Sequence, residues 1–158
     1  MLEAAVAGCQ RDVRMEFDKP TLIERSFNRL FGLLVRIGIG LPHNVLLQVR
    51  GRKSGRIYST PVNILTHNGR RYLVAPRGDT QWSRNARTSG EATFVKGFKR
   101  EDVKLREIAD ADKPQLLKAY LESFTPTVQR YFPVRAGSRL EEFVPLAPRY
   151  PVFEIQNH

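Results

Sequence analysis

Between Thr21 and Ile37 the apolar positions Leu22, Ile23, Phe27, Leu30, Phe31, Leu34 and Val35 recur at helical spacing, with Arg25, Asn28, Arg29 and Arg36 off that face. This spacing predicts an amphipathic helix over 21–37. Asp18, Lys19 and Pro20 open it, Gly38 and Gly40 end it, and Pro42 marks the break. Residues 1–17 show no such period and are expected to be loosely ordered. The period then changes. NVLLQV (44–49), IYSTPVNILTH (57–67) and RRYLVAP (70–76) read as strands, with Asn68-Gly69 as a hairpin turn. Pro61 cannot donate to a ladder, so it demands an edge, a bulge or a ligand-facing break. DTQWSRNARTSG (79–90) reads as a short helix capped by Asp79 or Thr80 and stopped by Gly90. EATFVKG (91–97) and REDVKLREIA (100–109) form another antiparallel pair. ADKPQLLKAYLESF (111–124) is a helix with Asp112 as cap and Pro114 in its first turn. Residues 129–150 look irregular, and YPVFEIQ (150–156) is the closing strand. About six mostly antiparallel strands with an N-terminal helix and two further helices argue an α+β fold around a small barrel or half-barrel. With no repeat or linker in view, residues 18–158 are expected to form a single domain.

Composition narrows the function classes. The chain has 158 residues, 41% hydrophobic and 27% charged, as expected of a globular domain. No apolar run is long enough to span a bilayer, and the first residues lack the pattern of a secretory signal. The cytoplasm is the expected compartment. The lone Cys9 permits no internal disulfide, and His43, His67 and His158 do not lie at metal-binding spacing, so no metal is expected. Charge is the informative quantity. The net charge is +10, and residues 44–90 hold nine cations against the single acid Asp79. Such a field recruits an anion: nucleic acid, a membrane surface or a polyanionic cofactor. A solvated basic face without a ligand is the alternative.

Motifs remove several chemistries. There is no nucleophile elbow, no Walker A frame and no dinucleotide-binding glycine fingerprint. Carboxylates are scarce in the central segment, which argues against paired acid–base work there. In GRKSGR (51–56), Gly51 and Gly55 allow close backbone approach, Arg52 and Arg56 offer forks, Lys53 a point charge and Ser54 a hydroxyl. A solvated turn would use similar residues. In VAPRGDTQWSRNARTSG (74–90), Arg77 and Gly78 precede a helix N-terminus, itself favourable to anions. Trp82 and Asn85 share one helix face, Arg84 and Arg87 the next. Trp82 would either stack on a planar ring or pack in the core. This is the pattern of a protein that orients a cofactor carrying its own chemistry.

The order GRKSGRIYSTPV, then YLVAPRGDTQWSRNAR, resembles the deazaflavin (coenzyme F420)-dependent nitroreductase family, split β-barrel flavin/deazaflavin oxidoreductases common in actinobacteria. The resemblance covers roughly residues 20–110, with a weaker match at the closing YPVFEIQ. It implies a split barrel, coenzyme F420 rather than FMN as cofactor, and hydride transfer to a small electron-poor acceptor such as a quinone, enone or nitroaromatic. By the same resemblance Arg52, Lys53 and Ser54 hold the cofactor's phosphate and oligoglutamate arm. Tyr58, Ser59, Thr60, Pro61, Val62 and Asn63 line the ring. Val74, Ala75, Pro76 and Arg77 meet it from the neighbouring strand, and Gln81, Trp82, Ser83, Arg84 and Asn85 close the pocket. Tyr131 is the candidate to orient or protonate the acceptor. The family's nitroreductase type has a basic residue where Tyr58 stands and a serine where Pro76 stands. The competing expectation is a non-catalytic lipid- or fatty-acid-binding barrel touching the membrane through helix 21–37. A nucleic-acid partner is not expected, since no recognition motif accompanies the charge; a homodimer is a candidate assembly for this fold.

Overall fold

The structure, a computed structural model, describes residues 43–158. The expected N-terminal segment 1–17 and helix 21–37 lie outside the described residues. Six strands make the frame: β1 (Asn44–Arg50), β2 (Ile57–His67), β3 (Arg70–Val74), β4 (Glu91–Lys96), β5 (Lys99–Glu107) and β6 (Val152–Asn157). Every pairing is antiparallel, and the sheet closes on itself in the order β1-β2-β3-β6-β5-β4. Helix α1 (Gln81–Ser89) joins β3 to β4. Helix α2 (Lys113–Ser123), a short α3 (Thr125–Val128) and a 3-10 stretch (Leu140–Arg149) join β5 to β6. The architecture is the α+β barrel that the sequence pattern predicts.

Strand alternation divides the apolar residues between two cores. Val45, Leu47 and Val49 of β1 point inward with Leu73, Phe94, Val103, Leu105, Phe153 and Ile155. Trp82 and Ala86 of α1 pack onto this same cluster, so the helix plugs one mouth of the barrel. The inward parity also carries Arg71, Glu101 and Asn157 at the other mouth. There the Arg71 guanidinium bonds both Glu101 oxygens, at 3.0 and 2.5 Å, and Asn157 Oδ1 at 2.9 Å. This bond to Arg71 holds the Glu101 carboxyl below the usual range. The outward residues Leu65, Tyr72, Val74 and Val152 form the second core with Leu117, Tyr120, Leu121 and Phe143. Tyr120 anchors α2 on β2 through a side-chain bond to Asn63, and burial pushes its hydroxyl up to about 12.

The turns follow their residues. Asn68 and Gly69 both take positive φ, as the tight β2–β3 hairpin requires. Gly90 closes α1 in the left-handed conformation. Thr80 occupies the N-cap position of α1 without a capping bond through its side chain. Pro61 pairs across to Leu46, while β3 meets β2 only from Ile64 onward, so the proline lies where β2 has a free edge. Some boundaries move. β3 stops at Val74 and β6 starts at Val152, because the Ala75 amide turns to the Pro151 carbonyl at 2.9 Å and prolines 76 and 151 have no donor. The stretch expected to be irregular contains ten residues of 3-10 helix, Leu140–Arg149; Pro145 and Pro148 keep it from becoming an α-helix.

Glu154 is buried on the barrel wall between two arginines. It accepts from Arg106 at 3.2 and 2.5 Å and from Arg70 at 3.2 Å, and the bond to Arg106 depresses its carboxyl first of all. A depressed carboxyl stabilises the fold above its unfolded value and loses that contribution as pH falls through the folded one. Glu154→Gln should therefore lower stability at neutral pH and flatten the acid side of the profile, read by urea unfolding between neutral and strongly acid pH. Leu47→Ala, in the barrel interior, should cost about 2–5 kcal/mol in the same assay at any pH.

Candidate functional site

An all-antiparallel barrel sends alternate connections to opposite ends. The β1–β2 loop, the β3–α1 segment and the residues before β6 all emerge at the mouth that α1 plugs. Residues 51–56, 75–85 and 149–151 meet there although they are far apart in sequence.

The β1–β2 loop is internally braced. The Gly51 amide donates to the Arg56 carbonyl at 2.7 Å, and the Gly55 amide to the Gly51 carbonyl at 2.9 Å. Arg50 donates to the Gly55 carbonyl at 3.0 Å. Ser54 Oγ lies 3.2 Å from the Tyr58 hydroxyl and accepts from the Arg56 amide at 3.3 Å. A Cβ at Gly51 would come within 2.5 Å of the Tyr58 ring, so a larger residue there would displace Tyr58 from the loop. Gly55 has φ of +68°, the left-handed region.

One side chain ties this loop to the helix. Asn85, 1% exposed, accepts through Oδ1 from the Arg52 amide at 3.2 Å and from its guanidinium at 2.9 Å. Its Nδ2 is buried without a hydrogen-bond partner among the described residues. A buried donor without a partner is costly, and a ligand acceptor would relieve it. Around it the cations divide into two groups. Arg87 forks onto Glu107 at 2.6 and 2.9 Å and reaches Asp79 at 3.4 Å; Arg84 stands 3.8 Å from Asp79. Bonding to Glu107 raises the Arg87 guanidinium further above its ordinary value. Among the described residues Arg52, Lys53, Arg56 and Arg77 have no ion pair. The loop therefore presents charge and a braced backbone to an anionic ligand, and it is tied to a buried asparagine of α1.

The residues expected at the site are brought together in part. Arg52, Lys53, Ser54 and Tyr58 share the loop, and Asn85 is bound to it. Alternation splits the β2 residues: Val62 packs against the barrel interior, whereas Ser59 bonds Gln48 and Asn63 bonds Tyr120 on the outer wall. Thr60 and Pro61 lie between them on β2. Val74 and Ala75 are buried, and the Ala75 amide is already bonded to the Pro151 carbonyl. Ser83 is fully buried, its one hydroxyl proton shared between Asp79 Oδ1 at 3.0 Å and the Thr80 carbonyl at 2.9 Å. Trp82 takes the core role, its ring 5.9 Å from Phe153. Gln81 is exposed at the start of α1.

Tyr131 lies in a separate cleft of about 210 Å³, with Pro76, Arg77, Gly78, Arg149 and Tyr150. Its hydroxyl accepts from Arg130 at 2.6 Å, and the Arg77 guanidinium lies 5.4 Å from its ring. The Tyr150 hydroxyl donates to the Tyr131 carbonyl at 2.6 Å, and burial raises it. Sequence reasoning missed Arg149 and Tyr150; their only signal is the RYP that precedes the closing strand.

The family model of the F420H(2)-dependent quinone reductases matches residues 24–135. A comparison with curated proteins finds no match. Among solved structures, an F420-H2 dependent reductase (FDR-A) is 21% identical, covering 73% of this chain and 95% of that one, with a TM-score of 0.51. A domain-swapped dimer is 17% identical over 85% of this chain and 96% of that one, TM-score 0.51. HutZ, a haem storage protein from Vibrio cholerae, is 8% identical over 73% and 82%, TM-score 0.52. At these identities the likeness is one of fold.

The Asn85 tether makes its own prediction. Asn85→Ala removes the acceptor of two Arg52 bonds and should speed amide exchange across residues 51–56 by about tenfold, the value of roughly one hydrogen bond to a charged group. Hydrogen exchange read by mass spectrometry checks this, with the β5–β6 pairing as the unaffected reference.

Proposed function

The chain belongs to the F420H(2)-dependent quinone reductase family and is an F420H2-dependent reductase, and from that premise we propose how its own residues serve the reaction. Arg52, Lys53 and Ser54 hold the cofactor's anionic arm, with Arg56 adding charge. Asn85 fixes Arg52 and offers its free Nδ2 to the same ligand. The residues fit the group, because among the described residues the buried Nδ2 has no partner and Arg52, Lys53 and Arg56 pair with no acid. Tyr58, the strand around Pro61, Pro76, Arg77 and the backbone of Val74 and Ala75 flank the ring. Gln81, Trp82, Ser83, Arg84 and Asn85 act as the wall of the pocket, with Trp82 and Ser83 supporting it from beneath. When bound, the reduced deazaflavin supplies a hydride to an electron-poor acceptor such as a quinone, enone or nitroaromatic. The protein contributes position and electrostatics rather than a covalent intermediate. Tyr131 orients the acceptor through a hydroxyl already bonded to Arg130.

The single observation that carries this assignment is the loop of unpaired cations locked to a buried asparagine with a spare donor. On this reading residues 18–158 act as one domain, in the cytoplasm. A homodimer is part of the proposal, since one structural neighbour is a domain-swapped dimer; residues 21–37 are the candidate contact with a membrane surface. No helix among the described residues is long and apolar enough to cross one.

Titration with coenzyme F420, followed by fluorescence with FMN in parallel, tests the site. Lys53→Ala should weaken F420 binding by about tenfold or more, the loss of one charge-assisted contact, with little change in the rate at saturation. Unchanged affinity with a collapsed rate would overturn the assignment of Lys53.

A further inference from the structure

The Tyr131 cleft carries more cationic character than an uncharged acceptor requires. Arg77 lies 5.4 Å and Arg130 4.7 Å from the Tyr131 ring, and Arg149 lies 5.9 Å from the Tyr150 ring. None of the three is in an ion pair among the described residues. The cleft holds about 210 Å³, room for a single substituted aromatic ring. Its floor is rigid. Gly78 has φ of +86°, and a Cβ there would lie 3.3 Å from the Arg149 carbonyl. The Tyr150 hydroxyl holds the Tyr131 carbonyl, and the Tyr150 ring stacks on Phe132 at 4.6 Å and 16°.

Guanidinium forks recognise carboxylates, and aromatic faces recognise flat rings. We propose that this cleft selects acceptors that are small aromatic carboxylates, with Arg149, which lines it, binding the acid group and Tyr131 the ring. The cleft adjoins Pro76 and Arg77, so the proposal rests on the reading above that these two flank the cofactor ring. It adds a substrate class to that reading: an electron-poor ring that carries a negative charge.

The test separates the two ideas. Isotope-labelled protein without cofactor is titrated with 4-nitrobenzoate and, in parallel, with uncharged 4-nitrobenzamide, following the Gly78 and Tyr150 amide resonances. Saturable shifts with the acid alone are expected, weakened by about tenfold in Arg149→Gln through loss of a charge-assisted contact. Equal response to both compounds, or no response to the acid, overturns the proposal. F420 binding is measured separately by fluorescence and should be unchanged in Arg149→Gln. Failure of the wild-type chain to bind F420 would count against the cofactor assignment and not against the cleft. With F420H2 present, Arg149→Gln should raise KM for 4-nitrobenzoate with kcat held; an equal rise for the amide would also overturn it.

Discussion

β3 and β4 stand on opposite sides of a closed six-stranded barrel, and the chain between them has to cross its mouth. Helix α1 makes that crossing. Its nine residues span about 13 Å at 1.5 Å per residue, comparable to the width of such a barrel. A helix lying over a mouth buries one face in the interior, here Trp82 and Ala86. Asn85, next to Ala86, is thereby carried to the rim, where the β1–β2 loop passes. The tether between Asn85 and Arg52 is a consequence of closing the sheet in this strand order.

Closure itself depends on a short seam. β4 meets β1 over three residue pairs, Leu46 with Val95, Leu47 with Phe94 and Gln48 with Thr93. Losing it would leave two unpaired edges. The two mouths are sealed by different means. One is filled by an apolar helix face, the other by the Arg71–Glu101–Asn157 cluster. The polar seal suits the end formed by hairpin turns. The apolar one leaves the polar residues of α1 free to face the loops above.

Much of the frame was legible because its determinants are local. Asn68-Gly69 specifies a hairpin, Gly90 a helix stop, and Pro61 a stretch of strand without a second neighbour. The site was legible only as two segments. That 51–56 and 79–85 touch depends on the β1–β4 pairing and on α1 crossing the mouth, neither of which has a local sequence mark. The division of Tyr58–Asn63 between inner and outer walls follows from strand alternation, which a contiguous pocket-lining assignment ignores. Arg149 and Tyr150 reach the cleft because the 3-10 stretch ends beside Gly78, a long-range contact no spacing reveals.

The distribution of acids decides which cations remain available. Asp79 and Glu107 sit beside Arg84 and Arg87 and neutralise them, so α1 itself contributes little net field. Among the described residues, two groups of cations without an ion pair are those of the β1–β2 loop and the set Arg77, Arg130 and Arg149 around the Tyr131 cleft. Both belong to one end of the barrel, where low-dielectric walls concentrate the field. A reductase that binds an anionic cofactor arm and an anionic acceptor together needs this separation. On the proposed reading each ligand meets its own cations, and their mutual repulsion is offset by the excess positive charge between them. Salt screens exposed charge of this kind but not buried apolar contacts. The same end of the barrel therefore joins a salt-sensitive rim to a salt-insensitive plug, and the Asn85–Arg52 tether is the point where the two are fastened together.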